Sequence, residues 1–173
     1  MAELFSLTKE QSHTLYTAAL LHDITKEKSP DEHITLCRVY QIEYTQTDII
    51  TPALFHAKTG ARLARELFPL ECNSEVSQII ETHTTGCVGM NLLQKLLFLA
   101  DGTEKTRTHE TLRELRDYFY KNPEENELYI HLDNTLIKYF DITISYLLKT
   151  NQVIDTQTLN ARNDLIIKRG NHG

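Results

Sequence analysis

The chain is expected to be all-α, for three reasons. Apolar residues recur at the three-to-four spacing of a helix face in run after run. Most runs open on a capping residue, and some add proline or acids in the first turn. No stretch alternates polar and apolar as a half-buried strand does. Short turns join the runs, with no internal repeat, low-complexity segment or linker. The 173 residues therefore read as one helical domain, 1–173.

Taken in order, Thr8-x-x-Gln11 has the form of a capping box and opens the first helix. Leu15, Ala18, Ala19 and Ile24 follow near helical spacing, and His22-Asp23 ends the run. Ser29-Pro30-Asp31-Glu32 opens the second, with a cap, proline at the first position and acids next. Leu36, Val39 and Tyr40 are its apolar side, and His33, near its polar start, is expected in solvent. Thr51-Pro52 opens the third, which carries Leu54-Phe55-His56-Ala57-Lys58-Thr59-Gly60-Ala61. Glycine inside a helix costs ~1 kcal/mol against alanine, so Gly60 calls for a packing reason. Small residues at Ala57, Gly60, Ala61 and Ala64 would admit a closely packed neighbour. Asn73-Ser74 opens the fourth, ending at His83-Thr84-Thr85-Gly86, with glycine as the stop.

Asn91-x-x-Gln94 opens the fifth, through Leu99-Ala100-Asp101. It is apolar on nearly all sides and is expected to be the central buried helix. Thr108 begins a sixth, through Phe119. Asn122-Pro123-Glu124-Glu125 begins a long seventh, through Leu147-Leu148, and Thr156 caps a last one. The tyrosines Tyr118, Tyr120, Tyr129 and Tyr139 supply either a homodimer surface or core contacts.

Composition narrows the class of function. A formal net charge of −6, with both signs interspersed, argues against a protein that binds DNA or RNA through a basic surface. It leaves room for a phosphate-rich small molecule, because bound cations reverse the local field. Three scattered cysteines, Cys37, Cys72 and Cys87, form no CxxC pair and suit a reducing compartment. The N-terminus has no signal-peptide pattern, and no apolar run is long enough to span a bilayer. A cytoplasmic protein is expected.

Chemistry concentrates where helices end. His22 and Asp23 are sequence neighbours, yet at a helix end both can turn to one point. His56, His83 and Asp101 sit on three further helices. Taken alone, His56 reads as a core histidine, and Asp101 has Arg107 as an alternative partner. His13 cannot join them if the first helix is continuous. Nine residues carry it ~13 Å from His22 and onto the opposite face. Three imidazoles and two carboxylates suit a pair of ions bridged by Asp23. Such a pair clamps a phosphoryl group and makes hydroxide at neutral pH. The hydroxyls of Thr84 and Thr85 would hold phosphate oxygens or serve only as turn residues.

These blocks have a family likeness. Leu-Leu-His22-Asp23-Ile-Thr-Lys26, Leu54-Phe55-His56-Ala-Lys58-Thr-Gly60-Ala, His83-Thr84-Thr85-Gly86, Gly89-Met90, Leu-Ala-Asp101 and Ala161-Arg162-Asn163 resemble HD-superfamily proteins of the YqeK type. Those are the symmetrical bis(5'-nucleosyl)-tetraphosphatases of bacteria. The resemblance runs from about Leu20 through Asn163. It implies an all-α HD domain, two metal ions (iron), and cleavage of diadenosine tetraphosphate into two ADP. Carried over by position, His22, Asp23, His56, His83 and Asp101 are metal ligands, with Asp23 bridging and catalytic. Lys26, Lys58, Thr84, Thr85 and Arg107 are the polyphosphate contacts, with Lys26 and Arg107 alternatively structural ion-pair partners.

The chain departs from that family in two places. Family members carry a further ligand histidine on an earlier helix, and this chain starts too late to include it. The first metal is then left with His22, Asp23, Asp101 and waters. The usual Tyr-Ile-Glu-Pro after Leu-Ala-Asp is Gly102-Thr103-Glu104-Lys105 here. These departures keep alternatives open: a nucleotide-binding module with weakened or lost catalysis, a phosphohydrolase for another nucleotide, or a metal-free bundle with core histidines.

Overall fold

The computed structural model describes residues 1, 3–51, 54–104, 109–121 and 127–170. Among the described residues the chain forms nine α-helices and no strand. It divides into two compact units, one ending at Thr85 and the other beginning at Gly86.

The first unit holds α1 (Lys9–Leu21), α2 (Pro30–Tyr40), α3 (Gln46–Ile50), α4 (Phe55–Leu67) and α5 (Ser74–Thr82). Both halves of the capping boxes at Thr8 and Ser29 are formed. Asn73 caps α5 through the amide of Val76. α4 is the hub, with α5, α2 and α1 packed on it, and α5 also rests on α1. The small residues Ala57, Gly60, Ala61 and Ala64 are buried along α4, as close packing requires. Ile79 and Ile80 of α5 are fully enclosed. Each such side chain contributes ~1.5–3 kcal/mol by leaving water.

Four details differ from the sequence expectation. α4 begins at Phe55, after a Leu54 that makes no side-chain cap bond, and Pro52 lies outside the described residues. The short α3 has its own capping box on Thr45 and Asp48. The buried side of α1 is Thr14, Thr17 and Ala18, whereas Ala19 faces solvent. His33 is not in solvent: it is 2% exposed, stacked 5.5 Å from the Phe55 ring. Its helix packs that end against α4, so a polar helix start became an inner face.

The second unit holds α6 (Leu92–Gly102), α7 (Glu110–Tyr120), α8 (Leu128–Lys149) and α9 (Thr156–Gly170). α8 is its spine, flanked by α6, α7 and α9. α6 is buried around most of its girth, from Leu93 to Gly102. The expected helix starts at Thr108 and Asn122 lie outside the described residues. Asp155, not Thr156, precedes α9; its carboxylate accepts from the Gln157 amide at 2.7 Å. Tyr118 and Tyr139 pack on other rings, while Tyr120 and Tyr129 are exposed. No helix among the described residues is long and apolar enough to cross a membrane.

Candidate metal centre

Three helix ends of the first unit deliver four of the expected ligands to one place. α1 ends at Leu21 and His22 is its C-terminal cap, so Asp23 sits in the turn that follows the helix. His83 is the cap that ends α5. His56 projects from the first turn of α4. The Asp23 carboxylate lies among the three imidazoles. Its Oδ1 is 3.4 Å from His56 Nε2 and 3.9 Å from His83 Nε2, and its Oδ2 is 3.4 Å from His22 Nε2. Donor atoms of His22, Asp23 and His83 all lie within 4.8 Å of one another.

Hydrogen bookkeeping decides what these rings can do. His22 Nδ1 is 2.7 Å from the Ala19 carbonyl, and His83 Nδ1 is 2.6 Å from the Ile80 carbonyl. A carbonyl only accepts, so both Nδ1 atoms carry the hydrogen. In the neutral ring, Nε2 then presents its lone pair toward Asp23. This is the orientation in which a backbone carbonyl holds a metal-binding imidazole. His56 Nε2 and His83 Nε2 stand only 3.0 Å apart. Two ring nitrogens that close share either one hydrogen or one cation. Asp23 Oδ1 is buried with no hydrogen-bond partner. A buried carboxylate oxygen left so is costly unless a cation answers it. Ligand atoms ~2.1 Å from one ion stand roughly 3–4 Å apart, and the distances from the Asp23 oxygens to the three rings, 3.4, 3.4 and 3.9 Å, fall in that range. The donor set therefore fits a borderline divalent metal.

The remaining expected site residues fall in different settings. Lys26 Nζ is 2.6 Å from Asp23 Oδ2 and its side chain is 44% exposed. Lys58 is paired at 2.8 Å with Asp48, whose side chain is wholly buried. Burial pushes the Asp48 carboxyl up, but the Lys58 ammonium and the Thr45 amide and hydroxyl hold it below its ordinary value. That pairing ties α3 to α4. Thr84 and Thr85 follow His83 directly and are half-buried. Asp101 is half-buried at the penultimate position of α6, in the second unit. Arg107 lies outside the described residues.

Sequence reasoning missed the layer behind the imidazoles. Thr25, Thr59 and His33 are each at most 2% exposed and are hydrogen-bonded to one another or to the backbone of α4. Only the placement of Thr25 beside His22-Asp23 hinted at this. The Gly86 expectation has a firmer explanation. Its φ is +67°, and an added Cβ would stand 2.8 Å from Phe140 and 3.0 Å from Ala161. Ala161 thus supplies the small surface under the glycine, while the neighbouring Arg162 pairs with Asp141.

The HD domain model matches residues 1–106. A symmetrical bis(5'-nucleosyl)-tetraphosphatase of Halalkalibacterium halodurans is 32% identical over 171 residues, covering 98% of this chain and 83% of the relative. The protein of that name from Bacillus subtilis is 27% identical, covering 96% of this chain and 82% of the relative. A crystal structure from Clostridium acetobutylicum, described as a predicted HD superfamily hydrolase involved in NAD metabolism, superposes with a TM-score of 0.81. It is 28% identical and covers 96% of this chain and 82% of that one.

Proposed function

The chain belongs to the HD-domain family, and from that footing we propose that it is a metal-dependent hydrolase cleaving diadenosine tetraphosphate symmetrically into two ADP. The observation that carries the proposal is the Asp23 carboxylate. Its buried Oδ1 has no hydrogen-bond partner and faces two imidazole nitrogens, while Oδ2 faces a third. His22, Asp23, His56 and His83 are the proposed metal ligands, and the family resemblance alone adds Asp101 and a second ion. Iron is the metal the family resemblance favours.

When bound, the ions supply hydroxide at neutral pH and positive charge for the phosphoryl oxygens. The chain does the rest. Ala19 and Ile80 carbonyls hold His22 and His83 with Nε2 toward the centre. Asp23, with Oδ1 toward His56 and His83 and Oδ2 toward His22, would hold both ions. Lys26 now lies on Asp23 Oδ2. The Lys26 ammonium, partly exposed beside Asp23, would be the residue to receive a substrate phosphate. Thr84 and Thr85, next to His83, offer hydroxyls to the same phosphates. Lys58 is held by Asp48 and serves the fold first.

Symmetrical cleavage breaks the central phosphoanhydride. The water oxygen joins one inner phosphorus, and the other ADP leaves with the bridging oxygen. Incubation of the iron(II)-loaded chain with diadenosine tetraphosphate is expected to release ADP, with neither AMP nor ATP. In oxygen-18 water, one of the two ADP molecules should carry the label on its terminal phosphate. AMP plus ATP overturns the proposed cleavage. Nucleotide binding without turnover by the metal-loaded chain overturns the hydrolase reading in favour of a binding module.

A further inference from the structure

We propose that Thr25 is a positioning residue for the metal centre, acting with Gly60 to set the distance between the His22-Asp23 turn and His56. The proposal rests on the metal-centre reading above and concerns how the chain builds that centre. After α1 the backbone makes successive tight turns, with Ile24 N bonded to Leu21 O and Lys26 N to Asp23 O. Such a segment has no helical ladder to fix it. What fixes it is α4.

Two contacts tie the turn to α4. The Thr25 hydroxyl donates to the His56 carbonyl at 2.9 Å, although the two residues are 31 positions apart. One turn further along α4, Gly60 lets the backbone of the turn come in. An added Cβ there would stand 3.3 Å from Thr25 Oγ1 and 3.4 Å from the His22 carbonyl oxygen. The hydroxyl therefore grips the residue that carries the facing ligand, and the bare Cα admits the residue that carries the first one.

A second row keeps Thr25 in place. Thr59 Oγ1 is 3.1 Å from Thr25 Oγ1, donates to the Phe55 carbonyl at 2.8 Å, and is 2.8 Å from His33 Nδ1. The hydrogens can be assigned. Thr25 gives its hydrogen to His56 O and Thr59 gives its own to Phe55 O, so His33 Nδ1–H must donate to Thr59. The remaining oxygen–oxygen contact shares one of those hydrogens. Thr25, Thr59 and His33 are 1%, 0% and 2% exposed, so no water competes for these bonds. A buried hydrogen-bonded network shielded from water in this way favours a single geometry.

The test is a Co(II) titration of the full chain, followed by the visible spectrum of the bound ion and by competition with a chelator. Thr25→Val keeps the shape and removes the hydroxyl, and Thr25→Ser keeps the hydroxyl. Gly60→Ala removes no hydrogen bond and only displaces the turn, so it carries the test if Thr25→Val does not fold. Losing a group that orients a ligand typically weakens metal binding about 10–100-fold. Thr25→Val and Gly60→Ala are expected to fall in that range with an altered Co(II) spectrum, and Thr25→Ser is expected to restore both. Wild-type affinity and spectrum in Thr25→Val and Gly60→Ala, with only the melting temperature lowered, overturn the positioning role. Absence of Co(II) binding by the wild-type chain sinks the metal-centre reading itself, and this proposal with it.

Discussion

At the scale of single residues, Asp23 and His33 show how the same few ångströms of burial lead to opposite roles. Asp23 is one-third exposed overall, yet its Oδ1 is sealed off beside two imidazoles. Asp23→Asn keeps the shape and removes the charge a cation needs. ADP release is expected to fall more than about 100-fold, beyond the range for residues that only orient a ligand. Metal content by elemental analysis should fall with it. His33 is buried, and the neighbouring Glu32 carboxylate only partly offsets that burial. Burial, and then the nearby His56, hold its pKa below the ordinary value. The unfolded chain thus binds a proton that the folded chain refuses. Stability from this group is full above about pH 6.5 and is lost as pH falls through the lowered folded value. Urea unfolding at pH 7.5 and 5.5 should show a smaller acid loss in His33→Gln than in the wild type. An equal loss in both would remove His33 from the account.

At the scale of elements, two glycines of the turn after His83 make a matched pair. Gly86 and Gly89 both have positive φ, +67° and +76°. Alanine pays ~1–2 kcal/mol for that backbone region at either place. At Gly89 an added Cβ meets nothing within 4 Å, whereas at Gly86 it meets Phe140 and Ala161. Overpacking adds roughly 1–3 kcal/mol. Gly86→Ala should therefore lower the urea midpoint clearly more than Gly89→Ala. Another element-level joint is the pair Lys58–Asp48 between α4 and α3. Lys58→Met leaves a wholly buried carboxylate without its cation. The expected loss is about 2–3 kcal/mol, reduced from the fully buried range because Lys58 is partly exposed. It should be seen as a lowered urea midpoint.

At the scale of the whole molecule, charge sets the terms of substrate binding. A chain with net charge −6 repels a polyphosphate unless cations intervene. Chelator-treated protein is expected to bind a non-hydrolysable dinucleoside tetraphosphate weakly, and metal should restore binding; calorimetry measures both. Metal that binds only the folded chain also stabilises it, by ~2.7 kcal/mol at a hundred times its dissociation constant. For a chain of this size that is a rise of roughly 5–10 °C in melting temperature. No rise on adding iron(II) or Co(II) would argue against a metal bound by the native fold.

Much of this was legible because it is local. A capping box needs residues three apart, so Thr8, Ser29, Asn73 and Asn91 marked helix starts that the structure places within a residue. The all-α class follows from the same short-range periodicity. His13 could be set apart from His22 by helix geometry alone, and it lies on an exposed face. That His22, Asp23, His56 and His83 come together required a family resemblance as well as residue types, because their separations along the chain carry no distance information. What only the tertiary structure decided was the rotation of each helix against its neighbours. That rotation buried His33 under Phe55, committed Lys58 to Asp48, and pressed Thr25 onto α4 through Gly60. Caps and periodicity are set by neighbours in sequence, whereas the facing of a side chain is set by whatever packs across from it.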